Sequence, residues 1–189
     1  MVFGSRQGLR IAFVGMNDRA QTACAEYISH KYLFKRVNMD EGLRYFLTKM
    51  YGYKSHRKVT IKERRAFYDS IYKIDPEIFI SHIKLRVKLS ERDLVIFDVR
   101  YLNEMKALQE LGFKIVRVTA PTRPHVGVYV NSTIPGTVAL ASMYDKSFAF
   151  KNNVEYSVHF TGRLGLPATI DPLLTAMGYE IQQNLTNTV

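Results

Sequence analysis

The stretch from Leu94 to Thr119 constrains this chain more than any other. Leu94 to Val99 is an almost wholly apolar run interrupted only by Asp98, Leu102 to Leu111 has helical content stopped by Gly112, and Lys114 to Thr119 is a second strand. A strand without polar alternation belongs inside a sheet covered on both faces. Strand, helix and strand joined by short links form a βαβ unit, whose crossover is right-handed. The chain is thereby committed to an α/β fold with a parallel sheet.

The flanking sequence extends that frame. Leu9 to Val14 reads as another buried strand, ending at Gly15. Gln21 to Lys31 places Ala23, Cys24, Tyr27 and Ile28 at helical spacing. Asp40 is placed to cap a helix through Tyr51, with Leu43, Phe46, Leu47 and Met50 as its apolar face. Tyr53 to Lys58 reads as a loop, and Thr60 with Glu63 forms a capping box for a helix through Tyr72. Asp75-Pro76 signals a further helix reaching Leu89, with Phe79, Ile83 and Val87 on one side. Val126 to Val130 and Val138 to Met143 fit strands or hairpin arms, and Val154 to Phe160 alternates as a strand. Asp171-Pro172 opens a final helix ending near Gly178, before a loose tail from Gln182. No repeats or low-complexity tracts interrupt this pattern, so one domain over residues 1–189 is expected.

Composition narrows the class. A chain that is 47% hydrophobic and 23% charged carries a core and is not disordered. The lone cysteine, Cys24, cannot form an internal disulfide, which points to a reducing compartment. The N-terminal ten residues lack a secretory apolar run, and the uncharged stretch 126–144 is too polar for a membrane span, so a cytoplasmic protein is expected. The net charge of +10 is uneven: residues 1–100 carry an excess of +9 and residues 101–189 only +1. Between Lys31 and Arg65 eleven bases face three acids. Such a patch attracts phosphates or polyanions, or else is a solvated face. The five histidines show no metal-ligand spacing, and no hydrolase triad is present.

Two constellations carry chemistry. The first strand leads into Gly15-Met16-Asn17-Asp18-Arg19-Ala20-Gln21-Thr22 and a helix, the spacing of a phosphate-binding loop. In such a loop, backbone N–H groups and a helix N-terminus cradle phosphate, a lysine neutralises it, and a hydroxyl holds magnesium. Gly15, Asn17, Ala20, Gln21 and Thr22 are the candidate cofactor contacts, with Thr22 at the metal position. Ala20 stands where the second glycine belongs and Gln21 where the lysine belongs, which leaves Arg19 as the candidate cation. The alternative is a strand–loop–helix turn with no ligand. The second constellation is Asp98 to Glu104, beyond a strand's C-terminal end, where α/β sheets bind ligands. Asp98 could orient magnesium or a nucleophile and Arg100 could hold a phosphate; alternatively Asp98 caps the next helix and Arg100 pairs with Glu104.

The run Arg64-Arg65, then Ile74-Asp75-Pro76-Glu77-Ile78-Phe79, then Val95 to Glu104 and Gly112 to Val118 resembles the phage-type deoxynucleoside monophosphate kinases. The similarity spans roughly Leu9 to Thr119. It implies a three-layer P-loop kinase-like domain, Mg-ATP as cofactor, and a deoxynucleoside monophosphate as acceptor. By position, Gly15 and Thr22 would meet ATP and magnesium, Asp98 and Arg100 would lie near the acceptor, and Arg64, Arg65, Asn103 and Glu104 are candidate substrate contacts. Residues 31–65 would form the substrate-side segment and 121–150 the lid region. The family's loop lysine is Gln21 here, and the lid region lacks charge from 124 to 144. Two functions follow: a nucleotide kinase with an altered donor site, or an inactive kinase-fold protein serving a phage particle or binding nucleic acid. The second would use 126–144 for a protein partner and 31–65 for nucleic acid.

Overall fold

The computed structural model describes residues 8–15, 18–51, 60–99, 101–119 and 154–179. In chain order these are β1 (Arg10–Val14), α1 (Asp18–Tyr32), β2 (Lys35–Asn38), α2 (Glu41–Tyr51), α3 (Ile61–Ile74), α4 (Ile78–Lys88), β3 (Leu94–Phe97), α5 (Leu102–Glu110), β4 (Lys114–Thr119), β5 (Tyr156–His159) and α6 (Leu166–Ala176). A 3₁₀ turn, Arg163–Gly165, precedes α6.

The five strands form one parallel sheet in the order β2-β3-β1-β4-β5. β1 lies at its centre, and Ile11, Ala12, Phe13 and Val14 are all fully buried there. Alternate side chains serve opposite faces, as a two-residue period requires. Ile11, Phe13, Val95, Val116 and Val118 pack with Ala23, Cys24 and Ile28 of α1 and Ile170, Leu173 and Leu174 of α6. Ala12, Val14, Leu94, Ile96 and Ile115 pack with Ile83 and Val87 of α4 and Met105 and Leu108 of α5. Helices thus cover both faces, and the chain has the three-layer α/β architecture expected from its βαβ unit. A third, smaller cluster joins Leu43 and Leu47 of α2 to Tyr68, Tyr72, Phe79 and Tyr101.

Local signals explain most boundaries. Thr60 and Glu63 make the expected capping box: the Thr60 N–H donates to Glu63 Oε2 at 2.7 Å and the Glu63 N–H to Thr60 Oγ1 at 3.2 Å. α5 ends in a Schellman turn in which Phe113 N–H donates to Leu108 O and Gly112 N–H to Gln109 O. Gly112 takes φ +80 there, a conformation that strains any residue with a Cβ.

Four expectations need correction. β2 falls where no strand was expected, because Lys35-Arg36-Val37-Asn38 offers one apolar side chain and an edge strand needs little more. α6 begins at Leu166, five residues before Asp171: Pro167 supplies the N-terminal proline and Pro172 lies inside the helix. α4 starts at Ile78 rather than at Asp75, whose Oδ1 instead accepts the Glu77 N–H at 2.9 Å in a tight turn. Phe46 and Met50 are 47% and 67% exposed, so only Leu43 and Leu47 of the expected α2 face are buried. The loop at 53–58, the elements expected between Val126 and Met143 and the tail from Gln182 lie outside the described residues.

Candidate functional site

β1 and β3 are neighbours in the sheet, so their C-terminal ends bring Gly15 and Asp98 to one edge. Gln21, in the first turns of α1, lies between them and is 1% exposed. Its Nε2 donates to the Gly15 carbonyl at 2.7 Å, and its Oε1 accepts the Asp98 backbone N–H at 3.2 Å. Both ends of the amide are engaged, and the side chain clips the β1–α1 loop to the end of β3. Asp98 has φ +66, a left-handed conformation that aspartate tolerates better than most residues. The clip therefore secures a backbone turn that would otherwise be costly to hold.

Gly15 is required by its surroundings. A Cβ at this position would lie 2.4 Å from the Val118 carbonyl oxygen of β4, so only glycine allows the close approach. Thr22 is partly buried on α1, Ala20 is fully buried in the α1–sheet core, and Arg19 is exposed on the first turn. Asn17 and Arg100 lie outside the described residues; Arg64 and Arg65 lie on α3, one turn before Tyr68, and nothing is described of their side chains.

The other half of the constellation is internal to the fold. Glu104 is fully buried: its Oε2 accepts the Tyr101 N–H at 3.1 Å, and its Oε1 accepts a hydrogen bond from the Tyr68 hydroxyl. Asn103 Oδ1 accepts from the Tyr72 hydroxyl, and the Tyr101 hydroxyl donates to Asp69 Oδ1 at 2.9 Å. Tyr68 stacks on Phe79 and Tyr72 on Tyr101, each with ring centroids 4.1 Å apart. Burial, reinforced by the Glu104 charge, raises the Tyr72 phenol well above its ordinary range and keeps it a donor. Three hydroxyls and the Tyr72–Tyr101 stack thus latch α3 onto the start of α5, while the Tyr68–Phe79 stack ties α3 to α4. The reading from sequence did not join these tyrosines to Asn103 and Glu104. The four-residue spacing of Tyr68 and Tyr72 on a helix was the available signal that both share one packed face.

Cys24 is a packing residue: burial pushes its thiol up to about 12, leaving no thiolate near neutral pH. Among the described residues no group of three His, Cys, Asp or Glu is arranged to hold a metal, and no helix is long and apolar enough to cross a membrane.

The residues present fit Mg-ATP incompletely. A hydroxyl at the metal position and a helix N-terminus are in place, as phosphate binding needs. The side chain at the lysine position is neutral, and both of its polar ends bond the backbone. Among the described residues of the loop, Arg19 carries the only cation, and it lies on the surface. Among the described residues, the loop therefore places no buried cation where a triphosphate donor would need one.

No protein-family model matches this chain, and no curated protein matches it. Solved structures with a similar course of the chain include a shikimate kinase from Bacteroides thetaiotaomicron, at 9% identity and a TM-score of 0.47, covering 90% of this chain and 98% of that one. A gluconokinase from Sinorhizobium meliloti 1021 is 13% identical with a TM-score of 0.46, covering 92% and 93%. A sugar kinase from Janibacter sp. HTCC2649 is 11% identical with a TM-score of 0.44, covering 92% and 96%. Likenesses this distant carry no conclusion about the reaction, which rests on the site itself.

Proposed function

We propose that this chain is a nucleotide-kinase-like protein with an impaired donor site, similar to the deoxynucleoside monophosphate kinases on its acceptor side. The observation that carries the reading is the Gln21 clip. The loop keeps the strand–loop–helix layout and the hydroxyl of a phosphate-binding loop, while the position that should neutralise the donor phosphates holds a neutral amide bonded to Gly15 and Asp98. Such electrostatic terms are a large share of phosphoryl-transfer catalysis. Asp98 is held by its backbone at the sheet edge where an acceptor would sit, and Arg100 follows it directly in the chain.

The test is conversion of each deoxynucleoside monophosphate to its diphosphate with Mg-ATP, followed by anion-exchange chromatography. The reading expects turnover about 10²- to 10³-fold below the ordinary ~1–100 s⁻¹ of kinases, the cost of one missing transition-state contact. Turnover inside the ordinary range would overturn it. Absence of both turnover and nucleotide binding would favour the second reading, an inactive kinase-fold binding protein. The observation on that side is the exposed aromatic and basic face of α2.

A further inference from the structure

We propose that the outward face of α2 is a platform for single-stranded nucleic acid, on which Tyr45 and Phe46 stack bases and Lys49 meets the phosphates. The inference does not depend on the state of the donor loop.

The helix buries Leu43 and Leu47 at 2% and 0% exposure, yet leaves Tyr45 and Phe46 exposed at 67% and 47%. With successive residues about 100° apart around a helix, Tyr45, Lys49 and Phe46 fall within an arc of about 100° centred away from the two leucines. Met50, 67% exposed, borders that arc. The Lys49 ammonium lies 5.5 Å from the Tyr45 ring centroid, so charge and ring form one surface unit. Exposed aromatics grouped on one helix face mark an interaction site more often than scattered ones do.

Charge selects the occupant. Residues 31–65 hold eleven bases against three acids. The acid nearest the platform on α2, Glu41, is already held by Arg86 at 2.8 Å, while Lys49 has no acidic partner among the described residues. An acid-poor, lysine-bearing aromatic face matches a polyanion that offers flat apolar groups. Single strands do so because their bases are unstacked, whereas a duplex hides those faces inside its stack.

Fluorescence anisotropy of the full chain with labelled oligo(dT) and oligo(rU) of about 16 nucleotides, and with a duplex of equal length, tests this. The expected result is preference for single strands, with Tyr45→Ala and Phe46→Ala each weakening binding about 5- to 150-fold as lost stacking predicts. Lys49→Glu should flatten the dependence of binding on salt. Circular dichroism confirms that each variant is folded, and both aromatics are surface residues whose removal leaves the core intact. Equal binding of duplex and single strands, unchanged by the aromatic substitutions, would reduce the effect to general attraction of a basic protein and overturn the proposal. So would absence of binding at low salt, or concentration-dependent self-association abolished by the same substitutions.

Discussion

Replacing Gln21 with leucine isolates the clip between the β1–α1 loop and the end of β3. Leucine keeps nearly the same volume, so the change removes hydrogen bonds while leaving little cavity. Two backbone groups lose their partner at this position: the Gly15 carbonyl, now bonded at 2.7 Å, and the Asp98 N–H, now bonded at 3.2 Å. The amide is 1% exposed, so water cannot readily replace it. Leaving a buried polar group unpaired costs about 1–3 kcal/mol, so the pair should cost about 2–6 kcal/mol. For a chain of this size, each kcal/mol lowers Tm by about 2–4 °C, which predicts a fall of roughly 4–24 °C. Thermal melts followed by circular dichroism measure the fall, and hydrogen exchange locates it. The Asp98 amide should exchange slowly in the parent and quickly in the variant, while amides in the middle of β4 retain their protection. A Tm within about 1 °C of the parent, with Asp98 still protected, would show that Gln21 merely fills space and would refute the reasoning.

Other perturbations separate the remaining parts of the account. Glu104→Ala should destabilise the protein by about 3–5 kcal/mol in urea unfolding, because it leaves the Tyr68 hydroxyl and the Tyr101 N–H without this acceptor in a fully buried place. Asp171 accepts from Lys31 at 2.6 Å, from Tyr32 at 2.7 Å and from Tyr27 at 2.8 Å. Burial opposes the charged form, but those three bonds outweigh it and hold the Asp171 carboxyl below its usual range. A lowered folded pKa gives stability that is present above the unfolded value of about 3.9 and is lost as pH falls through the folded value. The stability gap between the parent and Asp171→Asn should therefore be constant near neutrality and close below about pH 4, as urea midpoints against pH would show. Cys24 should resist thiol reagents in the native state and react on unfolding, since its side chain is 1% exposed; rapid labelling of native protein would contradict its placement in the core.

The sequence made the sheet-forming runs legible because their apolar content is local. Lys114 to Thr119 is a strand over the expected residues, and the Thr60–Glu63 box starts α3 as expected, each signal lying within a few residues of its effect. β2 was not legible, since Lys35 to Asn38 becomes a strand only through its pairing with β3, whose residues lie more than fifty positions away. The start of α6 was misplaced because two X-Pro pairs compete for it, and the Asp171 side chain is drawn instead to Tyr27, Lys31 and Tyr32 of α1. At the site, the replacement of lysine by Gln21 was visible in the sequence. Its use as a clip was not, because one of its partners, Asp98, lies 77 residues away and offers only a backbone N–H. Glu104 and Asn103 drew attention as polar residues beyond a strand end; only the fold brings Tyr68 and Tyr72 to them.

Titration calorimetry of Mg-ATP into the parent and into Gln21→Lys reads out whether the neutral side chain at position 21 limits donor binding. Circular dichroism first establishes that the variant is folded, since lysine cannot accept the Asp98 N–H. The account predicts weak binding by the parent and a gain of about 10- to 100-fold in the variant, the worth of one charge-assisted hydrogen bond to phosphate. Micromolar binding by the parent, unchanged or weakened in the folded variant, would show that the loop already meets the phosphates by another route and would contradict the account.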